Sequence, residues 1–285
     1  MNSSLHGAPA MPFFLKTERG ERFCLYYTPP PGRGCRGVLI YVHPFGDEMN
    51  KSRRMAAMQA RAFAAMGFGV LQIDLFGCGD SSGEFGDASW NIWKRDLAAA
   101  WNWLKNRADA PVSLWGLRLG ALLALDFARS SENAIDRIIL WQPVISGESF
   151  LTRFLRLRLA NEIILGDAGT EKNTGTNAMR NSLRAGNPLE VAGYELSPEL
   201  AAALDILQAA ELFVKRCPVH WFEIVAEPGR SMTAAGAKVV TAWKQKAVDL
   251  HLHLVPCLPF WATQEISECP ELVLATADIF ARQAR

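Results

Sequence analysis

Six short apolar runs recur along this chain of 285 residues, at 38–42, 69–74, 112–115, 138–141, 218–225 and 248–255. The continuous apolar run 38–42 predicts a strand buried on both faces, the condition of a parallel sheet covered by helices, and the other five read as further strands. Between them lie stretches with helical spacing, at 52–66, 89–106, 119–128, 198–213, 231–246 and 270–283. Alternation of this kind predicts an α/β protein with helices on both faces of a mostly parallel sheet. Two more strand-like runs, 11–16 and 21–28, flank Glu18-Arg19-Gly20 and predict an antiparallel hairpin. The expected sheet then has eight strands. The rhythm breaks over 146–195, where a basic amphipathic helix (150–160) precedes a polar stretch (166–181). This segment reads as a small helical cap inserted into a single domain spanning 1–285.

The charge balance narrows the partners. Lys and Arg total 30 and Asp and Glu total 29, which excludes the basic surplus of a nucleic-acid-binding domain. No run of 18 apolar residues occurs, so no transmembrane helix is expected. The first residues lack a basic segment followed by an apolar one, so no secretory leader is expected. The six cysteines are widely spread with no CxxC pair. In a chain this long they read as reduced thiols of a cytoplasmic protein, neither a disulfide framework nor a zinc site. No cofactor or metal is called for.

Three loops follow the carboxyl ends of predicted parallel strands, where open α/β sheets place their ligands. The first is His43-Pro44-Phe45-Gly46, either a plain strand-to-helix turn or a source of backbone N–H donors for an oxyanion. The second runs from Asp74 to Gly83 and holds Gly77 and Gly79. It lacks the Lys-Ser/Thr ending of a P-loop and reads as a structural loop below the site. The third, Trp115-Gly116-Leu117-Arg118-Leu119-Gly120, has the spacing of the G-x-S-x-G nucleophile elbow with Arg118 at its centre.

These loops, in this order, resemble the α/β-hydrolase superfamily over essentially the whole chain. Within it, Trp115-Gly-Leu-Arg-Leu-Gly-Ala121 and Pro256-Cys-Leu-Pro-Phe-Trp261 resemble the type 2 hydrolase group associated with the exosortase A (PEP-CTERM sorting) system. The resemblance implies an α/β-hydrolase fold, with Phe45, Gly46 and Leu119 at the oxyanion or ligand-binding positions. It puts Arg118 at the nucleophile position and Glu227 at the acid position, where Glu227-Pro228-Gly229 reads equally as a plain turn. The base position falls near Phe260, and no histidine lies beyond His253. His251 and His253 alternate on a predicted strand and read as core or edge residues.

A guanidinium stays protonated and offers no lone pair for attack. Loss of a catalytic serine or histidine costs about a million-fold in turnover. A serine mechanism is therefore not expected, and Ser81, Ser82, Cys78 and Cys257 lack an evident activating histidine. Two alternatives remain for Arg118. It binds an anionic group at the head of a helix, or Glu227, Asp47 or Glu48 neutralises it in a closed pocket. The expected role is a ligand-binding or accessory protein of exosortase or exopolysaccharide functions, with a small anionic or acyl-bearing ligand and a protein partner of that system. The alternative is an ester hydrolase or acyltransferase working through an unorthodox site.

Overall fold

The computed structural model describes residues 10–32, 34–164 and 175–281. Eight strands form the main sheet: β1 (Ala10–Thr17), β2 (Gly20–Tyr27), β3 (Gly37–Val42), β4 (Phe68–Ile73), β5 (Val112–Leu117), β6 (Ile135–Trp141), β9 (Val219–Val225) and β10 (Leu250–Pro256). Their order is β1-β2-β4-β3-β5-β6-β9-β10. The expected hairpin is present, since β1 pairs antiparallel with β2 and β2 with β4, and every later pairing is parallel.

The central strands are buried along their whole length, β3 and β5 at all six positions each. Alternation along β3 then feeds two cores. Val38, Ile40 and Val42 join one apolar cluster, whereas Leu39 and Tyr41 join the other. The first cluster lies beneath α2 (Trp90–Lys105), α3 (Leu119–Ser130) and α7 (Ala234–Gln245). The second lies beneath α1 (Asp47–Ala65) and α8 (Pro270–Ala281), which pack on each other. Capping follows the local sequence: Ser89 Oγ accepts from the Ile92 amide at the start of α2, and Thr233 Oγ1 from the Gly236 amide at the start of α7.

Between β6 and β9 the chain forms α4 (Gly147–Ile164), α5 (Thr176–Arg184), the short hairpin β7 (Leu189–Val191) and β8 (Tyr194–Leu196), and α6 (Pro198–Asp205). Phe150 and Phe154 of α4 meet the Phe45 ring edge-on at 5.5 and 5.0 Å, which brings this segment over the end of β3. Part of the expected polar stretch, 166–174, lies outside the described residues. Its remainder enters α5, a helix that the polar composition concealed. The helix expected over 198–213 ends at Asp205, and Ile206 beyond it is 79% exposed. The sequence pattern continued, but the chain turns there.

One cysteine reading is corrected. Cys257 and Cys269 form a disulfide with their Cα atoms 6.0 Å apart. The loop after β10 returns the start of α8 against the end of that strand, and a separation of 12 residues carries no recognisable spacing signal. The pairing withdraws the cysteine argument for a cytoplasmic location. Cys24, Cys78 and Cys217 are unpaired and buried, and Cys35 is unpaired and exposed. No helix among the described residues is long and apolar enough to cross a membrane.

Candidate active site at the elbow

Arg118 occupies a sharp turn between β5 and α3, with φ 56° and ψ −117°. Such a backbone conformation is strained for any residue with a Cβ and persists only where the surroundings enforce it. Two glycines do so here. A Cβ on Gly116 would lie 2.5 Å from the Ala121 Cα, and one on Gly120 would lie 2.3 Å from the carbonyl oxygens of Val42 and His43. Strand and helix therefore close around residue 118 only if both neighbours lack side chains. The turn is pinned by its own backbone: the Arg118 amide donates to Trp141 O at 3.0 Å, and the Arg118 carbonyl accepts from Ala121 and Val144.

The guanidinium is buried. Its Nε donates to Glu48 Oε1 at 3.3 Å, Nη1 donates to Gln142 O at 3.3 Å, and its carbon lies 5.2 Å over the Trp261 ring. Of the carboxylates weighed for Arg118, Glu48 is the one that meets it. Asp47 pairs with Lys51 one helical turn on, at 3.0 Å. Glu227 is exposed in the turn after β9 and pairs with Arg230 at 3.6 Å. Burial pushes the Glu48 carboxyl above the ordinary range, and Arg118, then Arg153 and Lys51, pull it back. Its second oxygen, Oε2, is buried without a hydrogen-bond partner.

The pocket is not closed. A cavity of about 260 Å³ opens beside Arg118, lined by Glu48, Phe45, Phe150, Phe154, Tyr194 and Trp261, with Lys51 and Arg153 at its margin. Phe45 lines it from the turn between β3 and α1, whereas Gly46 of that turn and Leu119, which opens α3, do not line it. The amides of Phe45 and Leu119 donate to no acceptor among the described residues. A void of about 10 Å³ lies behind them, against Leu75, Trp90 and Trp93.

The other candidates fall elsewhere. Ser81 Oγ donates to Asp74 O and accepts from the Phe23 amide, while Ser82 Oγ accepts from the Glu21 amide. Asp74 accepts from Arg53 and from the Asp80 amide. The 74–83 loop is thus a clip onto β2. Burial pushes the Cys78 thiol far up, and Cys257 is held in the disulfide. His43 is also committed: Nδ1 donates to Pro44 O, Nε2 accepts from the Leu75 amide, and burial holds its pKa down. His251 is exposed and pairs with Asp249, and His253 stacks on Phe222 at 4.3 Å and on His220 at 5.5 Å. The edge reading of these two residues is the one observed. No histidine among the described residues lines the Arg118 cavity.

With this geometry in view, the comparisons with known proteins are direct. A family model described as Hydrolase_4, serine aminopeptidase S33, matches residues 34–218. The chain belongs to this family. Among curated relatives, human "Protein ABHD12B" is 27% identical over 152 residues, a match covering 46% of this chain and 41% of that protein. The chain thus aligns with less than half of that relative's length. Among solved structures, Est1E from Butyrivibrio proteoclasticus with ferulic acid superposes with a TM-score of 0.69 at 14% identity, covering 95% of this chain and 99% of the other. A carboxyl esterase from Bacillus coagulans with glycerol gives 0.65 at 17% identity, covering 95% and 98%. A soluble variant of the Saccharomyces cerevisiae monoglyceride lipase with a substrate analogue gives 0.65 at 12%, covering 99% and 98%. These likenesses show the α/β-hydrolase fold.

Within this Hydrolase_4 member the amides of Phe45 and Leu119 are uncommitted, and the side chain at the elbow is a cation. An arginine there can bind a negative group through charge-assisted hydrogen bonds. It cannot add to a carbonyl. Sequence reasoning named Arg118 and Glu48. It missed Arg153 on the pocket lining, the Gln142 carbonyl that accepts from Arg118 and the stacking of Trp261 on the guanidinium, although Trp261 stood in a stretch already singled out.

Proposed function

We propose that this hydrolase-fold chain acts as a ligand-binding or accessory protein with a degenerate triad. The carrying observation is Arg118 at the elbow, buried, ion-paired with Glu48 and facing an open cavity. The absence of any histidine after His253 supports the same reading, since the loop at the base position brings Phe260 and Trp261 instead. In this reading Glu227 is an acid position without a base to orient, and 146–195 is a cap whose aromatic residues wall the cavity. The ligand is small, and anionic or acyl-bearing. The motif resemblance to the exosortase A system-associated type 2 group supports a role beside protein sorting or exopolysaccharide functions.

A second reading, an ester hydrolase or acyltransferase with an unorthodox site, is favoured by the uncommitted amides of Phe45 and Leu119. Turnover of short-chain p-nitrophenyl esters by the wild type, Arg118→Ala and Arg118→Ser separates the two. The binding reading expects wild-type turnover at the buffer background. Wild-type turnover that Arg118→Ala abolishes would overturn it.

A further inference from the structure

The arginine and its carboxylate form a loose pair. Glu48 Oε1 meets only Nε of Arg118, at 3.3 Å, and not the two-nitrogen face with which a guanidinium holds a carboxylate best. Glu48 Oε2 has no partner although it is buried. A half-satisfied carboxylate in a site walled by Phe45, Phe150, Phe154 and Trp261 is costly, because its lost hydration is only partly replaced. The cavity beside the pair, about 260 Å³, far exceeds the ~10–15 Å³ needed for one water and is enough for a short acyl chain or one aromatic ring. Three cations border it, Arg118, Arg153 and Lys51, against two carboxylates, Glu48 and Asp47. Lys51 is answered by Asp47. Arg153 has no ion-pair partner among the described residues and lies close enough to Glu48 to favour its ionised form.

From this arrangement, and resting on the binding reading above, we infer that Glu48 is a built-in competitor for the ligand: an amphiphile with an oxyanion head and an apolar tail displaces it from Arg118, and Glu48 takes up a proton as it leaves. The head sits between Arg118 and Arg153, and the tail lies among the cap phenylalanines and Trp261. No covalent bond changes. The proton comes from solvent and neutralises the displaced carboxyl, which otherwise would face the incoming anion without a counter-ion. Its titration is set first by burial and then by Arg118 from the β5–α3 turn, Arg153 from α4 and Lys51 from its own helix, while Asp47 on that helix also borders the cavity. Tyr194 comes from β8, and the loop bearing Trp261 and Ala262 adds no charge there. Burial already biases Glu48 toward the protonated form, and removal of Arg118 strengthens that bias.

Linkage fixes the sign. Binding that takes up a proton strengthens as pH falls, by at most about tenfold per pH unit for one proton. Octanesulfonate is the probe of choice because its head does not titrate in this range, with octanoate as the carboxylate arm and octanol as the uncharged control. Calorimetric titration of the full chain in two buffers of different ionisation enthalpy counts the protons. The expected result is that both anions bind, that octanol binds far more weakly, and that about one proton enters per anion bound. Glu48→Gln is expected to bind octanesulfonate about tenfold more tightly and without proton uptake, whereas Arg118→Met loses the anion preference. Thermal melts of each variant confirm folding. Wild type binding the anions with no proton uptake, and with an affinity equal to that of Glu48→Gln, would refute the exchange and leave the binding reading intact. Folded wild type and Glu48→Gln that both fail to bind any of the probes would remove the binding reading itself.

Discussion

Arg22 and Asp96 form an ion pair sealed from water, with side chains 1% and 2% exposed and Arg22 Nε 2.8 Å from Asp96 Oδ1. The pair ties β2 to α2, and the other Asp96 oxygen accepts from the Phe76 amide at 2.8 Å, holding the start of the 74–83 loop. Replacing Arg22 by Met keeps most of the volume but leaves a buried carboxylate without its cation. Breaking such a pair from one side costs about 3–5 kcal/mol. At about 2 °C per kcal/mol for a chain of this size, the melting temperature falls by about 6–10 °C. A double variant, Arg22→Met with Asp96→Leu, removes both charges, and replacement of a buried pair by apolar groups is often neutral. Recovery is incomplete here, because the Phe76 amide then loses its acceptor, at a cost of about 1–3 kcal/mol. Urea titration of wild type, single and double variants measures all three values. A cost below about 1 kcal/mol for Arg22→Met, the range of an exposed pair, would refute the claim that this pair is desolvated.

Two further outcomes are expected. Cys257→Ser opens a loop closed over 12 residues, and the chain-entropy relation gives a loss of about 3 kcal/mol. A melting temperature that dithiothreitol does not move in the wild type would show that the bond is absent in solution. His220 is buried, with its pKa pushed down to about 3 by burial and by the neighbouring His251, His253 and Arg137. The folded value lies below the unfolded one, so stability is full above about pH 6.5 and is lost as pH falls toward about 3, by up to about 1.4 kcal/mol per pH unit. Denaturation curves from pH 7 to pH 4 check this by difference, since His220→Gln flattens the slope if the reasoning holds and leaves it unchanged if His220 is already solvated.

What could be read from the residues alone follows a physical divide. Strands buried on both faces announce themselves, and β3, β4, β5 and β9 fell where continuous apolar runs placed them. The elbow was equally legible, because a tight turn between strand and helix demands small residues at fixed spacing, and Gly116 and Gly120 supply them. Helix starts were harder. The α1 helix begins at Asp47, five residues before its apolar pattern does, since its first turn carries Asp47 and Glu48, and Lys51 follows one turn on. The choice among Asp47, Glu48 and Glu227 as partner of Arg118 depended on tertiary approach. The resemblance puts Glu227 at the acid position, and a position along the chain does not tell which way the following turn leads. The Cys257–Cys269 bond escaped for the same reason, since local spacing says nothing about a helix returning to a strand end. The β7–β8 hairpin spans three residues a side and lies below what alternation can reveal.

The two glycines around residue 118 have a consequence for what this scaffold can become. The backbone at the turn is held at φ 56° by the close approach of Gly116 to Ala121 and of Gly120 to the Val42 and His43 carbonyls, and by the backbone bonds of Arg118 to Trp141, Ala121 and Val144. The side chain is therefore interchangeable in a way the turn is not. The occupant of that turn sets the chemistry of the molecule, and a designer could swap it without rebuilding the frame. Installing a nucleophile at 118 changes one side chain, and a base and an acid to serve it have to be built separately, since Glu227 is exposed and paired with Arg230. By the same logic, a bulkier residue at 120 would erase the pocket's geometry while leaving every charged group in the chain unaltered.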